Sequence, residues 1–231
     1  MEIKKNDCFT VSIEDMSEDG SGIGKLDGYI WFIKDAVKGD VVEAKAMKMK
    51  KSYGFARLMR VITPSPDRIE PACSLSQCGG CLFQHITYPA ELRIKEKAVQ
   101  DAFTRIGKLH PEFLPILGAP SRTRYRNKAQ YPFASDRSGK PILGFFARRS
   151  HRVIPVRDCL LQPELFGEIA DTVLDFVQKN RIPVYDETNG TGDMRHLYLR
   201  CGQHSGEVMV CFIVRKPIRK KLFFLLFETN Y

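Results

Sequence analysis

Three cysteines in a glycine-containing loop constrain the fold of this chain more than any other feature. Cys73, Cys78 and Cys81 are separated by four and two residues, and Gly79 and Gly80 lie inside the shorter gap. Glycine lets the backbone turn sharply, so the neighbouring thiolates can converge on one point. The surrounding Pro, Ser, Gln and Gly residues are not typical of a buried core, which disfavours a set of unrelated buried thiols.

A loop with three cysteine ligands needs a fourth donor from elsewhere. Cys159 is the best candidate, because it lies in a loop-like break between a strand pattern and a helix pattern. C-x4-C-x2-C with a distant fourth cysteine is an iron–sulfur spacing, and the spacing alone also allows a plant-type [2Fe-2S] cluster. Zinc sites more often contain two close pairs of ligands, and the sequence has one such pair.

The rest of the composition favours a cytoplasmic protein. Seven cysteines is an odd number, and three of them in a metal-type loop indicate a reducing compartment rather than a disulfide framework. No apolar run approaches the roughly 18 residues of a membrane span. The first residues have no apolar signal-peptide core. We therefore predict a cytoplasmic monomer with no membrane partner.

Positive charge is concentrated in one stretch of the sequence. The chain has a net charge of +9, yet residues 1–62 carry 11 Lys and Arg against 10 Asp and Glu. Residues 121–157 carry 10 Lys and Arg against one Asp. A second cluster contains Arg215, Lys216, Arg219, Lys220 and Lys221. Clustered positive charge is typical of proteins that bind a polyphosphate. A solvated basic face is the alternative, but interleaved aromatic, Asn and Gln residues favour nucleic acid.

The first 62 residues predict a small closed barrel of the oligonucleotide-binding kind. Short strand patterns separated by turn signals occupy residues 8–16, 25–27, 29–33, 41–49 and 53–62, with a hairpin turn over 20–24. About five strands in roughly 60 residues fit such a barrel. Several residues could bind RNA here, namely Lys45, Lys48, Lys50, Lys51, Tyr53, Phe55 and Arg57. Alternatively, these lysines could protect an exposed strand edge. The sequence leaves both interpretations open.

Residues 67–231 predict a second, α+β domain with an antiparallel sheet. Helix patterns occupy residues 88–109 and 163–181, and a third helix begins near 218. Strand patterns occupy residues 128–134, 141–147, 153–156, 197–201 and 207–215. Antiparallel strands with helices covering one face are typical of this class.

Two stretches of this domain are candidate RNA contacts. The first contains Arg124, Arg126, Asn127, Lys128 and Gln130, and the second contains Arg148, Arg149, His151 and Arg152. If the two strands are neighbours in one sheet, these residues line one surface beside the cysteine loop. The basic side chains would bind phosphates, while Asn127, Gln130, Tyr131 and Phe146 are candidates for base edges or stacking.

Four motifs together resemble the RNA (uracil-5-)-methyltransferases. They are Cys73-x4-Cys-Gly-Gly-Cys-x2-Gln-His, Tyr125-Arg-Asn-Lys-Ala-Gln, Gly144-Phe-Phe-Ala-Arg-Arg-Ser-His-Arg and Asp158-Cys159. The chain is most similar to the iron–sulfur enzymes that methylate 23S ribosomal RNA, and its barrel resembles their TRAM domain. The resemblance implies a [4Fe-4S] cluster held by Cys73, Cys78, Cys81 and Cys159, and a ribosomal RNA partner.

The same resemblance implies a reaction that uses S-adenosylmethionine. In the family a thiolate attacks C6 of uracil, C5 accepts the methyl group and a base removes the C5 proton, all within a C-terminal Rossmann-like domain. Nothing after Arg215 matches its motifs. We therefore expect that domain to be absent, with S-adenosylmethionine bound by the full-length enzyme alone and this chain inactive. No residue is assigned to catalysis.

The helix over 88–109 is expected to pack toward the missing domain and to expose apolar surface.

The alternative function is a stand-alone RNA-binding module with a structural metal site and no catalysis.

Overall fold

The computed structural model describes residues 3–75 and 77–217, which form two compact units. The first unit contains the described residues of 1–74 and 81–118, and the second contains those of 75–80 and 119–217. The helix predicted near residue 218 lies outside the described residues, as do Arg219, Lys220 and Lys221. No helix in the described ranges is both long and apolar enough to cross a membrane.

Five strands form a closed barrel in the first unit. They are β1 (Cys8–Met16), β2 (Ser21–Leu26), β3 (Tyr29–Lys34), β4 (Val41–Met49) and β5 (Tyr53–Thr63). Their order around the barrel is β1-β2-β3-β5-β4. The β3–β5 pair is parallel, and the other neighbouring pairs are antiparallel. Alternate side chains point inward, so each strand contributes apolar residues to one core.

Trp31 fills much of the barrel interior. Its side chain is 1% exposed and packs with the ring of Phe9 at a centroid distance of 4.5 Å. Gly54 lies directly beside it, and a Cβ atom added to Gly54 would be 2.5 Å from Cζ3 of Trp31. The indole therefore fits inside the barrel because β5 has no side chain at this position.

The predicted hairpin turn over residues 20–24 is wrong, because β2 begins at Ser21. The turn ends earlier, at Gly20, whose amide donates to the Ser17 carbonyl at 3.0 Å. Gly22 and Gly24 are strand residues that face the barrel core. A Cβ atom on Gly24 would lie 2.7 Å from Cγ2 of Val11, so packing requires glycine here.

A helix follows the barrel in the first unit. α1 (Tyr88–Asp101) begins with Pro89 in its first turn and continues as a π-helical turn over Ala102–Ile106. Ala90 and Ile94 belong to a small core with Met16, Val37 and Ile86. The far end exposes apolar side chains, and Val99, Phe103 and Ile106 are 52%, 42% and 83% exposed. The expected exposed apolar surface is therefore present.

The second unit is a five-stranded antiparallel sheet with one helix against it. The strands are β6 (Lys128–Ser135), β7 (Pro141–Phe146), β8 (Val153–Pro155), β9 (Met194–Cys201) and β10 (Val208–Val214), in the order β10-β9-β6-β7-β8. The helix α2 (Glu164–Lys179) contributes Phe166, Val173 and Val177 to the core. Leu197 and Leu199 of β9 join the same core. The alternate residues of β6 and β9 therefore lie on the opposite face of the sheet.

Candidate nucleic-acid interface

A cavity of about 670 Å³ lies on the sheet of the second unit. It is lined by Arg126, Asn127, Lys128, Ala129, Gln130, Phe145, Gln162, Tyr198 and Arg200. Four residues of the first predicted RNA-binding stretch are therefore brought together. The lining includes three cationic side chains, the amides of Asn127 and Gln130 and the ring of Tyr198, the groups that bind phosphates, base edges and base faces.

The pairing of β6 with β9 explains this composition. Lys128 lies opposite Arg200, and Gln130 lies opposite Tyr198. The intervening Ala129 is buried in the core with α2. The Lys128 ammonium lies 6.0 Å from the centroid of the Tyr198 ring. A positive charge beside an aromatic face suits a nucleotide, which presents a phosphate next to a base.

Sequence reasoning missed Tyr198 and Arg200, the residues that β9 contributes to this cavity. A signal for them existed in the strand pattern over 197–201, because burial of Leu197 and Leu199 leaves Tyr198 and Arg200 on the other face. The pairing partner of the strand was not predictable, since residues 128–134 and 197–201 are far apart along the chain.

Tyr131 is not available to stack on a base, contrary to the prediction. It is 1% exposed, and its ring stacks on Phe145 at a centroid distance of 4.8 Å. Its hydroxyl donates to Oε1 of the buried Gln162 at 2.5 Å. Burial raises the pKa of Tyr131 well above its ordinary value, so the phenol stays neutral and acts as a core donor.

Arg124 has protein partners rather than an open position in the cavity. Its guanidinium donates to both oxygens of Asp158 at 2.6 and 2.8 Å, and also to the backbone carbonyls of Cys159 and Gln162. These hydrogen bonds hold the pKa of the Asp158 carboxyl below its ordinary value. Arg124 therefore fastens the loop that carries Cys159, a function that needs no RNA.

The second predicted stretch forms the turn between β7 and β8, next to part of the cysteine loop. Cys78 forms an isolated β-bridge with Ala147, and the Arg148 amide donates to the Gln77 carbonyl at 3.3 Å. The Arg152 guanidinium donates to the Gln77 side chain. The basic turn thus lies beside the cysteine loop, as predicted, but outside the 670 Å³ cavity.

The barrel of the first unit carries a separate aromatic cluster. Phe32 of β3 and Tyr53 and Phe55 of β5 have ring centroids 5.7 Å apart in all three pairs. Tyr53 and Phe55 are 37% and 41% exposed. Sequence reasoning missed Phe32. The parallel pairing of β3 with β5 places it beside Phe55, and this pairing is not visible in the local sequence.

Cations surround this aromatic cluster. Lys48 lies opposite Phe55 on β4, and Arg57 lies between Lys45 on β4 and Lys34 on β3. β5 pairs with β4 on one side and β3 on the other. The alternative interpretation of a lysine-protected edge strand is therefore wrong for residues 53–57.

The hairpin that carries Lys50 and Lys51 is ordered by one tyrosine. The Lys50 amide donates to the Tyr29 hydroxyl at 3.1 Å. The same hydroxyl lies 2.7 Å from the Lys50 carbonyl and 2.5 Å from the Tyr53 carbonyl. Lys50, Lys51 and Tyr53 are all exposed, so the hairpin presents them to solvent in a fixed backbone conformation.

The four predicted cluster ligands are half-buried cysteines that form no disulfide among the described residues. Cys73 and Cys81 belong to the first unit, and Cys78 and Cys159 belong to the second. Within residues 3–75 and 77–217, no three His, Cys, Asp or Glu side chains are grouped so as to hold a metal ion. The donor chemistry of four cysteine thiols suits an iron–sulfur cluster.

Comparisons with known proteins match the barrel by itself and most of the chain. Residues 4–59 match the TRAM domain family. An uncharacterized RNA methyltransferase of Halalkalibacterium halodurans is 43% identical over 215 residues, which are 92% of this chain and 47% of that protein. An uncharacterized RNA methyltransferase of Listeria monocytogenes is 40% identical, over 93% of this chain and 47% of its own. The chain thus spans about half the length of these relatives.

A solved structure shares the fold. The tRNA (uracil-54, C5)-methyltransferase of Pyrococcus abyssi, in complex with S-adenosyl-L-homocysteine, superposes with a TM-score of 0.67 at 22% identity. The match covers 93% of this chain and 48% of that protein. The TRAM match and the relatives together support the RNA methyltransferase family.

The expected absence of a methyltransferase domain is contradicted by these comparisons. The relatives that align over 92% of the chain are RNA methyltransferases. The expectation was wrong because it took unmatched motifs after Arg215 as evidence about the whole protein.

Proposed function

We propose that this chain is part of an RNA methyltransferase, binds unpaired RNA and serves S-adenosylmethionine-dependent methylation of uracil at C5. One observation carries the proposal, namely the cavity in which Lys128, Arg200, Gln130 and Tyr198 converge from two paired strands. Cations, an amide and an aromatic ring on one surface match the parts of a single-stranded nucleotide.

The aromatic cluster of the barrel supports the same proposal. Phe32, Tyr53 and Phe55 offer ring faces and edges on which bases stack whatever their sequence, and the lysines beside them suit the backbone phosphates. A double helix hides its base faces, so stacking platforms of this kind select unpaired strands or loops. The substrate class we propose is therefore an unpaired segment of RNA, and the family resemblance described above points to ribosomal RNA.

We further propose a [4Fe-4S] cluster held by Cys73, Cys78, Cys81 and Cys159. Its support is the iron–sulfur spacing of these cysteines, together with the family resemblance, which implies [4Fe-4S] where the spacing alone also allows [2Fe-2S]. The loop of Cys78 packs against the basic Arg148–Arg152 turn, and Arg124 fastens the loop of Cys159. The cluster would cross-link these loops structurally and would not take part in redox chemistry.

Salt-dependent RNA binding tests the proposed function. A fluorescently labelled single-stranded RNA is titrated with the chain at several salt concentrations, and log affinity is plotted against log salt. The Lys128→Ala/Arg200→Ala double variant should bind more weakly and lower the slope by about 0.7 for each phosphate contact that is lost.

The matched control is Arg137→Ala/Lys179→Ala. It makes the same change in charge at two exposed positions of the second unit. Neither residue lines the 670 Å³ cavity or the second cavity described below. Equal affinity and slope in the two double variants would contradict the proposal that this sheet face binds RNA.

A further inference from the structure

A second cavity, of about 330 Å³, lies farther along the same two strands. The pairing that places Gln130 opposite Tyr198 in the first cavity continues to Pro132 opposite His196 in the second. Two strand residues correspond to about 7 Å. A single strand of RNA that occupies the first cavity can therefore reach the second with an adjacent nucleotide.

Two residues that line the second cavity each have a buried polar atom without a partner among the described residues. Nε of Arg195 and Nδ1 of His196 are buried and have no hydrogen-bond partner in the described part of the chain. The Arg195 guanidinium lies 4.4 Å from the centroid of the Tyr185 ring, which fixes its position. Burial lowers the pKa of His196, so its imidazole is neutral near pH 7. Unpartnered polar atoms of this kind are costly unless a ligand or water completes them.

Acidic side chains on the cavity wall exclude a phosphate as that ligand. Asp186 and Glu187 both line the cavity, and Glu187 Oε2 lies 2.7 Å from Nδ1 of His151. The other Glu187 oxygen accepts no hydrogen bond from the described residues. His151 also lies against Phe146, at a ring centroid distance of 5.3 Å, so the wall offers aromatic surface next to the carboxylate.

We propose that this cavity binds one unpaired nucleobase with an exocyclic amino group, adenine, cytosine or guanine, next to the nucleotide in the first cavity. The amino group donates to Glu187, while Arg195 donates to a ring nitrogen or carbonyl of the base. Uracil is rejected, because its base-pairing N–H is flanked by two carbonyl oxygens that the carboxylate repels. The inference rests on the proposed RNA binding and adds a sequence preference to it.

The test compares RNA oligomers that differ in one base. Octauridylate and octamers with a single A, C or G at each position are titrated against the full chain at one salt concentration. At one position an amino-bearing base should bind about tenfold tighter than uracil, as expected for one hydrogen bond to a charged group. Glu187→Ala should abolish this preference.

Glu207→Ala is the matched control. Glu207 is an exposed glutamate in the β9–β10 loop, and its substitution removes the same charge as Glu187→Ala. Both variants should bind octauridylate slightly tighter than the original chain, and the control should keep the tenfold preference. If octauridylate binds but no base is preferred, or if Glu187→Ala keeps the preference, the cavity proposal is overturned and RNA binding stands. Failure of every oligomer to bind overturns both.

Discussion

The Arg124 guanidinium and the Asp158 carboxylate form two parallel hydrogen bonds of 2.6 and 2.8 Å across 34 residues of sequence. Arg124 adopts a left-handed backbone conformation with φ of 58°, which is unfavourable for a residue with a side chain. The ion pair therefore forms at some cost in backbone conformational free energy. The same guanidinium reaches the carbonyl of Cys159. The ion pair therefore positions one of the four proposed cluster ligands.

This pair predicts a specific pH dependence of stability. The folded pKa of Asp158 is lowered, mainly by the hydrogen bond from Arg124. The stabilisation is therefore present above the unfolded carboxyl pKa of about 4 and is lost as the pH falls through the lower folded value. Urea unfolding at several pH values should show that Asp158→Asn lowers the free energy of unfolding at pH 7. The variant should also lose less of this free energy than the original chain as the pH falls.

Asp175→Asn provides the control, because Asp175 is an exposed carboxylate on α2. It should leave both stability and its pH dependence unchanged. Parallel pH profiles for the original chain and Asp158→Asn would contradict the assigned role of the ion pair.

Gly54→Ala tests the packing of the barrel. The new Cβ atom would lie 2.5 Å from the Trp31 ring, so the substitution should cost about 1–3 kcal/mol of unfolding free energy, as overpacking does. Urea unfolding followed by Trp31 fluorescence reports on this unit. Gly118→Ala is the control, since its Cβ atom would make ordinary contacts of 3.4 Å or more. An unchanged midpoint in Gly54→Ala would show that the barrel interior has spare room.

Local patterns predicted the individual strands of the barrel well. The bounds of β1 (Cys8–Met16) and β4 (Val41–Met49) are confirmed, because alternation of buried and exposed residues is visible in the sequence itself. β2 was mispredicted, since Gly22 and Gly24 signal a turn by composition but serve packing. That role depends on Val11 and Ala36, which approach only after the barrel closes.

Pairing between distant strands limited the prediction of the site. Lys128 and Gln130 were predicted from the clustered basic residues and the Asn, Gln and aromatic residues between them. Their neighbours Arg200 and Tyr198 come from a strand about 70 residues away. Phe32 joined the barrel cluster through a parallel pairing that no local signal reveals. Arg124 was taken as an RNA contact because Asp158 is not near it in sequence.

The barrel cluster predicts a loss of RNA affinity that does not depend on salt. Tyr53→Ala/Phe55→Ala should weaken binding of single-stranded RNA by about 1–3 kcal/mol for each base that loses its stacking partner. The slope of log affinity against log salt should stay the same, because no phosphate contact is removed. Phe103→Ala, an exposed aromatic on the π-helical turn after α1, is the control. Equal affinities for the original chain and the double variant would remove the barrel from the interface.

The cluster assignment predicts about four iron atoms and matching acid-labile sulfide per chain after anaerobic purification. Cys159→Ala should lose most of the iron, because a tetrathiolate site cannot hold the cluster as firmly with three ligands. Cys211→Ala is the control, since Cys211 is an exposed cysteine on β10. One tightly held zinc ion in place of iron would contradict the assignment.

Photochemical cross-linking tests most directly whether the two proposed surfaces bind RNA. A single-stranded RNA containing 4-thiouridine is irradiated with the full chain, and the modified peptides are identified by mass spectrometry. We predict cross-links to Tyr53 or Phe55 on the barrel and to Tyr198 or Gln130 on the sheet. Cross-links confined to the exposed face of α2, around Thr172 and Asp175, would contradict the account, because that helix lies on the opposite side of the sheet.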